Sequence, residues 1–212
     1  MPQKRILLEP ERTYHIWTHA NGSENLFRCD ENYRYFMRRY RHYIHPVVET
    51  FAYCLMPNHL HLMVKVKGEQ ELLEFVRFKK DDLTLSLQGL QTLGGIEKIV
   101  SRQFSHLFNS YTQAYNKMYS RKGSLFIPNF NRKLINSDEY FVRLIAYIHN
   151  PVHHGFVENP NNWAFSSWHA YLLDKNTQIN KEKGLEWFGT KENFKTIHQE
   201  LNQEKMMRLF ES

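Results

Sequence analysis

An α+β fold is predicted for this chain of 212 residues on three observations. Strand-like runs, above all the strictly alternating "HLHLMVKVK" (59–67), are interleaved with stretches whose apolar residues recur at helical spacing. The runs follow the order β, α, β, β, α, β, α, which describes a ferredoxin-like antiparallel sheet with helices packed on it and one further helix. Hydrophobic residues make up 42% of the chain, enough for one domain to bury a substantial core.

"TYHIWTHA" (Thr13–Ala20) reads as the first strand, closed by the loop "NGSEN". A helix is expected from Asp30 to about Tyr43, with Asp30 or Asn32 as its cap and Tyr33, Phe36, Met37, Tyr40 and Ile44 on one side. "VVETFAYCLM" is a β-rich run long enough for a central strand. In the next strand Leu60, Leu62, Val64 and Val66 share one face, while His59, His61, Met63, Lys65 and Lys67 share the other, polar one. Residues 68–95 start helically and drift into "LTLSLQGLQTLGG", expected to be an insertion or mobile connection. A long amphipathic helix then runs from Ile96 to near Gly123, and "SLFIPNFNRKLI" is extended. Ser137 caps a helix reaching about His149, with Asp138 and Glu139 suiting its dipole, until Asn150-Pro151 ends it. Residues 1–170 are thus expected to form the main domain. Residues 171–212 form a helical C-terminal extension, with a helix over about 192–209.

The formal net charge is +6, and the basic residues cluster in "RYFMRRYR" (34–41), "RFKK", "SRKG" and "NRK" (131–133). Such a surface favours polyanions, since each phosphate neutralised releases counterions. Arg34, Arg38, Arg41, Arg132 and Lys133 are the candidate phosphate contacts. No apolar run approaches the ~20 residues of a membrane span, and "MPQKRILLEP" lacks a secretory apolar segment, so a cytoplasmic protein is expected. Cys29 and Cys54 can supply neither a disulfide framework nor a zinc tetrad, and both are expected reduced.

Histidines at i and i+2 on a strand lie side by side, so His59 and His61 can share a divalent ion through neutral imidazoles. On the capped helix Phe141, Leu144, Ile145 and Ile148 form the apolar stripe, which puts Tyr147 on a flank with Tyr140, Arg143 and Asn150. A flank tyrosine is either a half-buried packing residue or a nucleophile.

"MPNHLHLMV", "SYTQAYNKMYSRKGSLF", "RLIAYIHNPVHHGFV" and "WAFSSW" occur in the order and approximate spacing of the REP-associated tyrosine transposases, relatives of the single-tyrosine HUH transposases. The resemblance covers about residues 13–67 and 96–170. It implies a metal-dependent endonuclease and strand transferase acting on single-stranded DNA beside a hairpin. His59 and His61 match the ligands of Mg or Mn, and Tyr147, on the added helix, matches the nucleophile that becomes linked to a 5′ phosphate. Relatives have one more residue in this motif, Tyr-Ile-His-x-Asn-Pro, so Asn150, His149, His153 or a water is left as the third ligand. "WAFSSW" resembles a Trp-Pro-x-Ser-Ser signature with Ala164 in place of the Pro. It is either a turn anchored by tryptophans or, through Trp163, Ser166 and Ser167, a DNA contact.

Two other readings differ in class. A hairpin-binding regulator would keep the fold and lose cleavage through the shortened motif; a zinc hydrolase of small molecules would want an apolar pocket and another acid or histidine. A monomer or homodimer fits the sequence equally.

Overall fold

The computed structural model describes residues 6–78, 93–154 and 156–200. Four strands, β1 (Thr13–His19), β2 (Val48–Met56), β3 (His59–Val66) and β4 (Asn131–Leu134), form one antiparallel sheet in the order β2-β3-β1-β4. With helices α1 (Asp30–Tyr43) between β1 and β2, and α2 (Glu69–Phe78) and α3 (Leu93–Met118) between β3 and β4, this is the expected ferredoxin-like arrangement. Helix α4 (Asp138–Ile148) follows β4. The short helices α5 (Trp168–Leu172) and α6 (Lys181–Glu186) and the longer α7 (Lys191–Glu200) complete the described chain. Most of the segment expected to be a mobile connection, residues 79–92, lies outside the described residues, as does the end of the helix expected over 192–209.

Helix α1 starts where the sequence places it, but the cap position is Cys29, without a side-chain cap bond. Asn32 instead reaches back, its Oδ1 accepting from the Arg28 N–H at 2.9 Å. An orphan donor ahead of the helix is thereby satisfied. Strand β4 is shorter than the extended run proposed for 124–135; Asn129, at φ 64, turns the chain just before it.

The alternation of β3 builds two cores. On one face Leu60, Leu62, Val64 and Val66 pack with Ile16, with Phe36 and Tyr40 of α1, and with Val100, Phe104 and Leu107 of α3. On the other face Ala52, Cys54, Met56 and Met63 meet Phe141, Leu144, Ile145 and Ile148 of α4, and Trp168, Tyr171, Phe188 and Phe194 close the layer from the C-terminal side. The second face was expected to be polar. It is buried instead: every residue from His59 to Val64 is excluded from solvent, because α4 and the C-terminal helices cover it. A register irregularity between Thr50 and Ala52 sends both Phe51 and Ala52 into this second core, as a bulge does.

The outer edge of β2 is covered as well. Leu55 N–H donates to the Phe165 carbonyl and Ser167 N–H to the Tyr53 carbonyl, both at 2.9 Å, while Asn180 N–H donates to the Thr50 carbonyl at 2.8 Å. Capping an edge strand removes a template for unwanted pairing. The β2–β3 turn, Pro57-Asn58, is pinned from outside by Phe27 N–H and Ala20 N–H, which donate to its two carbonyls. That pinning fixes the residue that begins β3, His59.

Candidate functional site

The pleat of β3 places His59 and His61 on the second face, their ring centroids 5.3 Å apart and their planes at 90°. Register sets what lies opposite on β1: His19 faces His59, Trp17 faces His61 and His15 faces Met63. His19 stacks on His59 at 4.8 Å, and His15 stacks on Trp17 at 4.5 Å. His15 also reaches diagonally to His61, Nε2 to Nδ1, at 2.9 Å. Burial, with the Lys133 charge opposite it on β4, pushes the His15 pKa down to about 3, so this ring is neutral.

Helix α4 brings the tyrosine. Ser137 caps it, Oγ accepting from the Tyr140 N–H at 3.2 Å, with Asp138 and Glu139 in the first turn. Tyr147 then stands edge-on to His61, ring centroids 5.3 Å apart, and edge-on to His15 at 6.3 Å. It exposes only 2% of its surface, against 4% for His59 and 1% for His61. The flank position derived from helical spacing is therefore an interior one, since the buried sheet face encloses that side of α4. Tyr140, about two turns earlier, is half-buried beneath Lys133, and burial pushes its phenol up to about 12.

Each metal-candidate imidazole is oriented through Nδ1. An amide oxygen only accepts, so the 2.7 Å contact between His59 Nδ1 and Asn58 Oδ1 puts the proton on Nδ1 and leaves the lone pair on Nε2, as ligation requires. His61 Nδ1 faces His15. Among the described residues no group of three His, Cys, Asp or Glu forms a metal-binding cluster. His59 and His61 are the two imidazoles that could hold a divalent ion, whose remaining positions oxygens would complete. Asn150 can offer one: it is buried, and its Oδ1 makes no hydrogen bond among the described residues. The chain tightens just after α4, Asn150 N–H donating to the Tyr147 carbonyl at 3.1 Å.

His149 is turned away from this centre, which removes it as a third ligand. Its Nε2 lies 2.7 Å from Ser167 Oγ and its Nδ1 3.2 Å from His198 Nε2, and burial holds its pKa well below the ordinary histidine value. The side chain of His153 lies outside the described residues. Ser167 also accepts from the Tyr53 N–H at 2.8 Å, and Ser166 Oγ accepts from the Trp168 N–H at 3.1 Å. Both serines are buried: the Ser167 hydroxyl holds "WAFSSW" on the β2 edge and the Ser166 hydroxyl closes the turn within the motif, so neither faces the surface. Trp163 donates from Nε1 to the Leu55 carbonyl at 3.0 Å and stays half-exposed.

The basic candidates divide between the two layers. Arg34, Arg38 and Arg41 lie exposed on α1, across the sheet from Tyr147; Arg34 pairs with Asp30 at 3.3 Å and Arg38 with Glu31 at 2.7 Å. Arg132 points to the α3 side, donating from Nη1 to Ser101 Oγ at 2.9 Å. Lys133 alone of the five shares the face of the histidines, opposite His15. The spacing-based reading missed His15 and Asn58. The signal for His15 was present in "TYHIWTHA", where His15, Trp17 and His19 alternate onto one face, but only the register of β1 on β3 joins them to His61.

Fold and site together describe an α+β protein in which one helix-borne tyrosine is held edge-on to paired histidines of a central strand. No family model matches the chain. It is 27% identical over 128 residues to a Haemophilus influenzae protein named as a REP-associated tyrosine transposase, covering 59% of this chain and 61% of that relative, so the match spans less than two thirds of the curated protein. A solved structure of a REP-associated tyrosine transposase bound to a REP hairpin aligns with a TM-score of 0.53 at 18% identity, over 81% of this chain and 86% of that one. A bacterial tRNA-His guanylyltransferase-like protein in complex with GTP aligns at a TM-score of 0.38 with 11% identity, over 73% of each chain. The chain resembles REP-associated tyrosine transposases in sequence, and it shares their α+β fold.

Proposed function

We propose that the protein is a metal-dependent, single-tyrosine endonuclease and strand transferase acting on single-stranded DNA beside a hairpin. The observation that carries this reading is the edge-on approach of Tyr147 to His61, 5.3 Å between ring centroids. In the step proposed, Tyr147 Oη forms a bond to phosphorus and loses its proton, the P–O3′ bond breaks, and the departing 3′ oxygen takes up a proton. One phosphoester replaces another, so the bond remains available for rejoining. A free phenol has a pKa of ~10 and needs a positive environment to react at neutral pH. A Mg or Mn ion held through the Nε2 atoms of His59 and His61, with Asn150 Oδ1 as an oxygen donor, would supply positive charge at the scissile phosphate. Imidazole ligands bring no negative charge of their own to repel the DNA, as carboxylates would.

Lys133 is suited to a phosphate near the reacting centre, since it shares the histidine face. The α1 arginines would meet DNA on the opposite layer. Their exposed ion pairs contribute at most ~1 kcal/mol each, little enough to exchange for phosphate contacts. Burial of Tyr147 at 2% exposure means that DNA must displace what covers the site before the step can occur.

The test is incubation with a hairpin oligonucleotide carrying single-stranded flanks, in Mn. A protein–DNA adduct surviving denaturation is expected. The step of three residues from Tyr147 to Asn150 favours the rival reading, a hairpin-binding regulator; tight binding with no adduct under any divalent metal would select it.

A further inference from the structure

We infer that His15 is a positioning residue for the metal site, acting by holding His61 in the one tautomer that can ligate through Nε2. This rests on the metal-dependent reading above and concerns a residue which that reading leaves without a role. The two candidate ligands differ in how their protons are set. His59 is set by an amide oxygen, which cannot donate, so its Nε2 always keeps the lone pair. His61 is set by a second imidazole, which can donate or accept. If His15 donates from Nε2, the proton of neutral His61 sits on its own Nε2 and blocks ligation. If His15 accepts, His61 carries its proton on Nδ1 and presents the lone pair. Both rings stay neutral in either case, and only the direction of one 2.9 Å bond changes.

The surroundings of His15 suit this role. The ring is wholly buried, stacked on Trp17 at 4.5 Å and lying edge to edge with His61, their planes within 19° of each other, which fixes its plane and keeps water from replacing it as partner. Its Nδ1 makes no hydrogen bond among the described residues, so no neighbour there selects either tautomer and Nε2 is able to accept from His61. Outer partners of this kind fix ring orientation and raise ligand basicity, and their loss weakens metal affinity by about 10–100-fold.

The experiment is calorimetric titration of the full chain with Mn, comparing wild type with His15→Gln, His15→Asn and His15→Phe. A glutamine oxygen reaches about as far from Cα as Nε2 and can accept from His61, an asparagine oxygen falls short, and phenylalanine fills the space without accepting. Wild type and His15→Gln are expected to bind within about threefold of each other, and His15→Asn and His15→Phe to bind about 10–100-fold more weakly. Nitrogen-15 spectra of the zinc-loaded wild type should place the His61 proton on Nδ1. If His15→Phe fails to fold, the Gln and Asn pair decides the matter. Equal affinity in all four proteins, or glutamine as weak as asparagine, overturns the inference. Wild-type affinity that survives His59→Ala/His61→Ala overturns the metal reading itself, and the inference with it.

Discussion

The two faces of one sheet use the same strands for opposite ends. On the face toward α1 and α3, each inward residue of β3 is aliphatic, and its neighbours are the rings and branched chains of two long helices. On the face toward α4, alternate residues of the same strand are His59, His61 and Met63, and their neighbours include His15, Trp17, His19 and Tyr147. Both faces are buried, yet among the described residues the histidines of the strands, His15, His19, His59 and His61, share the second face alone. Burying polar groups costs stability unless they are bonded. Under the function proposed above, that cost is met for chemistry on the second face, while the first face holds the fold.

That contrast can be broken from either side. The largest effect is expected for Tyr147→Phe, which removes one oxygen and keeps the ring: adduct formation should fall by about 10⁴-fold or more, while hairpin affinity and melting temperature stay close to wild type. Loss of folding in this variant would place Tyr147 with the structural residues instead. Leu62→Ala on the opposite face should behave in reverse, costing ~2–5 kcal/mol in denaturant unfolding and leaving adduct yield per folded molecule unchanged.

The C-terminal end of the second core sharpens the comparison, because there the polar groups packed into it, His149, His198 and Ser167, hydrogen-bond to one another. His198 is held down to about 4 by burial, against an ordinary value of 6.5. The unfolded chain therefore binds the extra proton first as pH falls. The contribution of this ring is complete above about pH 6.5 and is lost progressively toward pH 4, by roughly 3 kcal/mol for His198 alone. Thermal unfolding between pH 7.5 and 4.5 should show the decline, to which the buried His15 and His149 add in the same direction, and His198→Phe should make it shallower; an unchanged profile would mean that His198 does not contribute.

The smallest effect concerns the outer surface of the first layer. Arg38→Ala with Arg41→Ala should lessen the slope of log affinity against log salt by up to about 2 for a hairpin oligonucleotide, without abolishing binding. An identical slope would move the DNA surface to the Lys133 side of the sheet.

Much of the fold was legible in the sequence where a local signal sufficed. Helix α1 spans Asp30–Tyr43 as the apolar spacing indicated, Ser137 caps α4, and the alternation in β3 sets the histidines apart from the leucines. What escaped was set by contacts distant in sequence. Alternation separates two faces but cannot reveal that α4 and residues beyond 165 cover the one bearing histidines, so that face read as polar and Tyr147 as a flank residue. The same limit hid His15, joined to His61 across 46 positions, and made Ser166 and Ser167 look like surface groups when both are buried, Ser167 bonded to the β2 edge and Ser166 to the Trp168 N–H.

The central claim is that Tyr147, set against the histidine pair, is the nucleophile. Trypsin cuts after Arg143, separating Tyr140 from Tyr147, so mass spectrometry of the digested adduct distinguishes these neighbours directly. The account predicts that the DNA-bearing peptide begins at Leu144 and that its fragment ions place the phosphate on Tyr147. A phosphate on Tyr140, or on any tyrosine of α1 or α3, would contradict it.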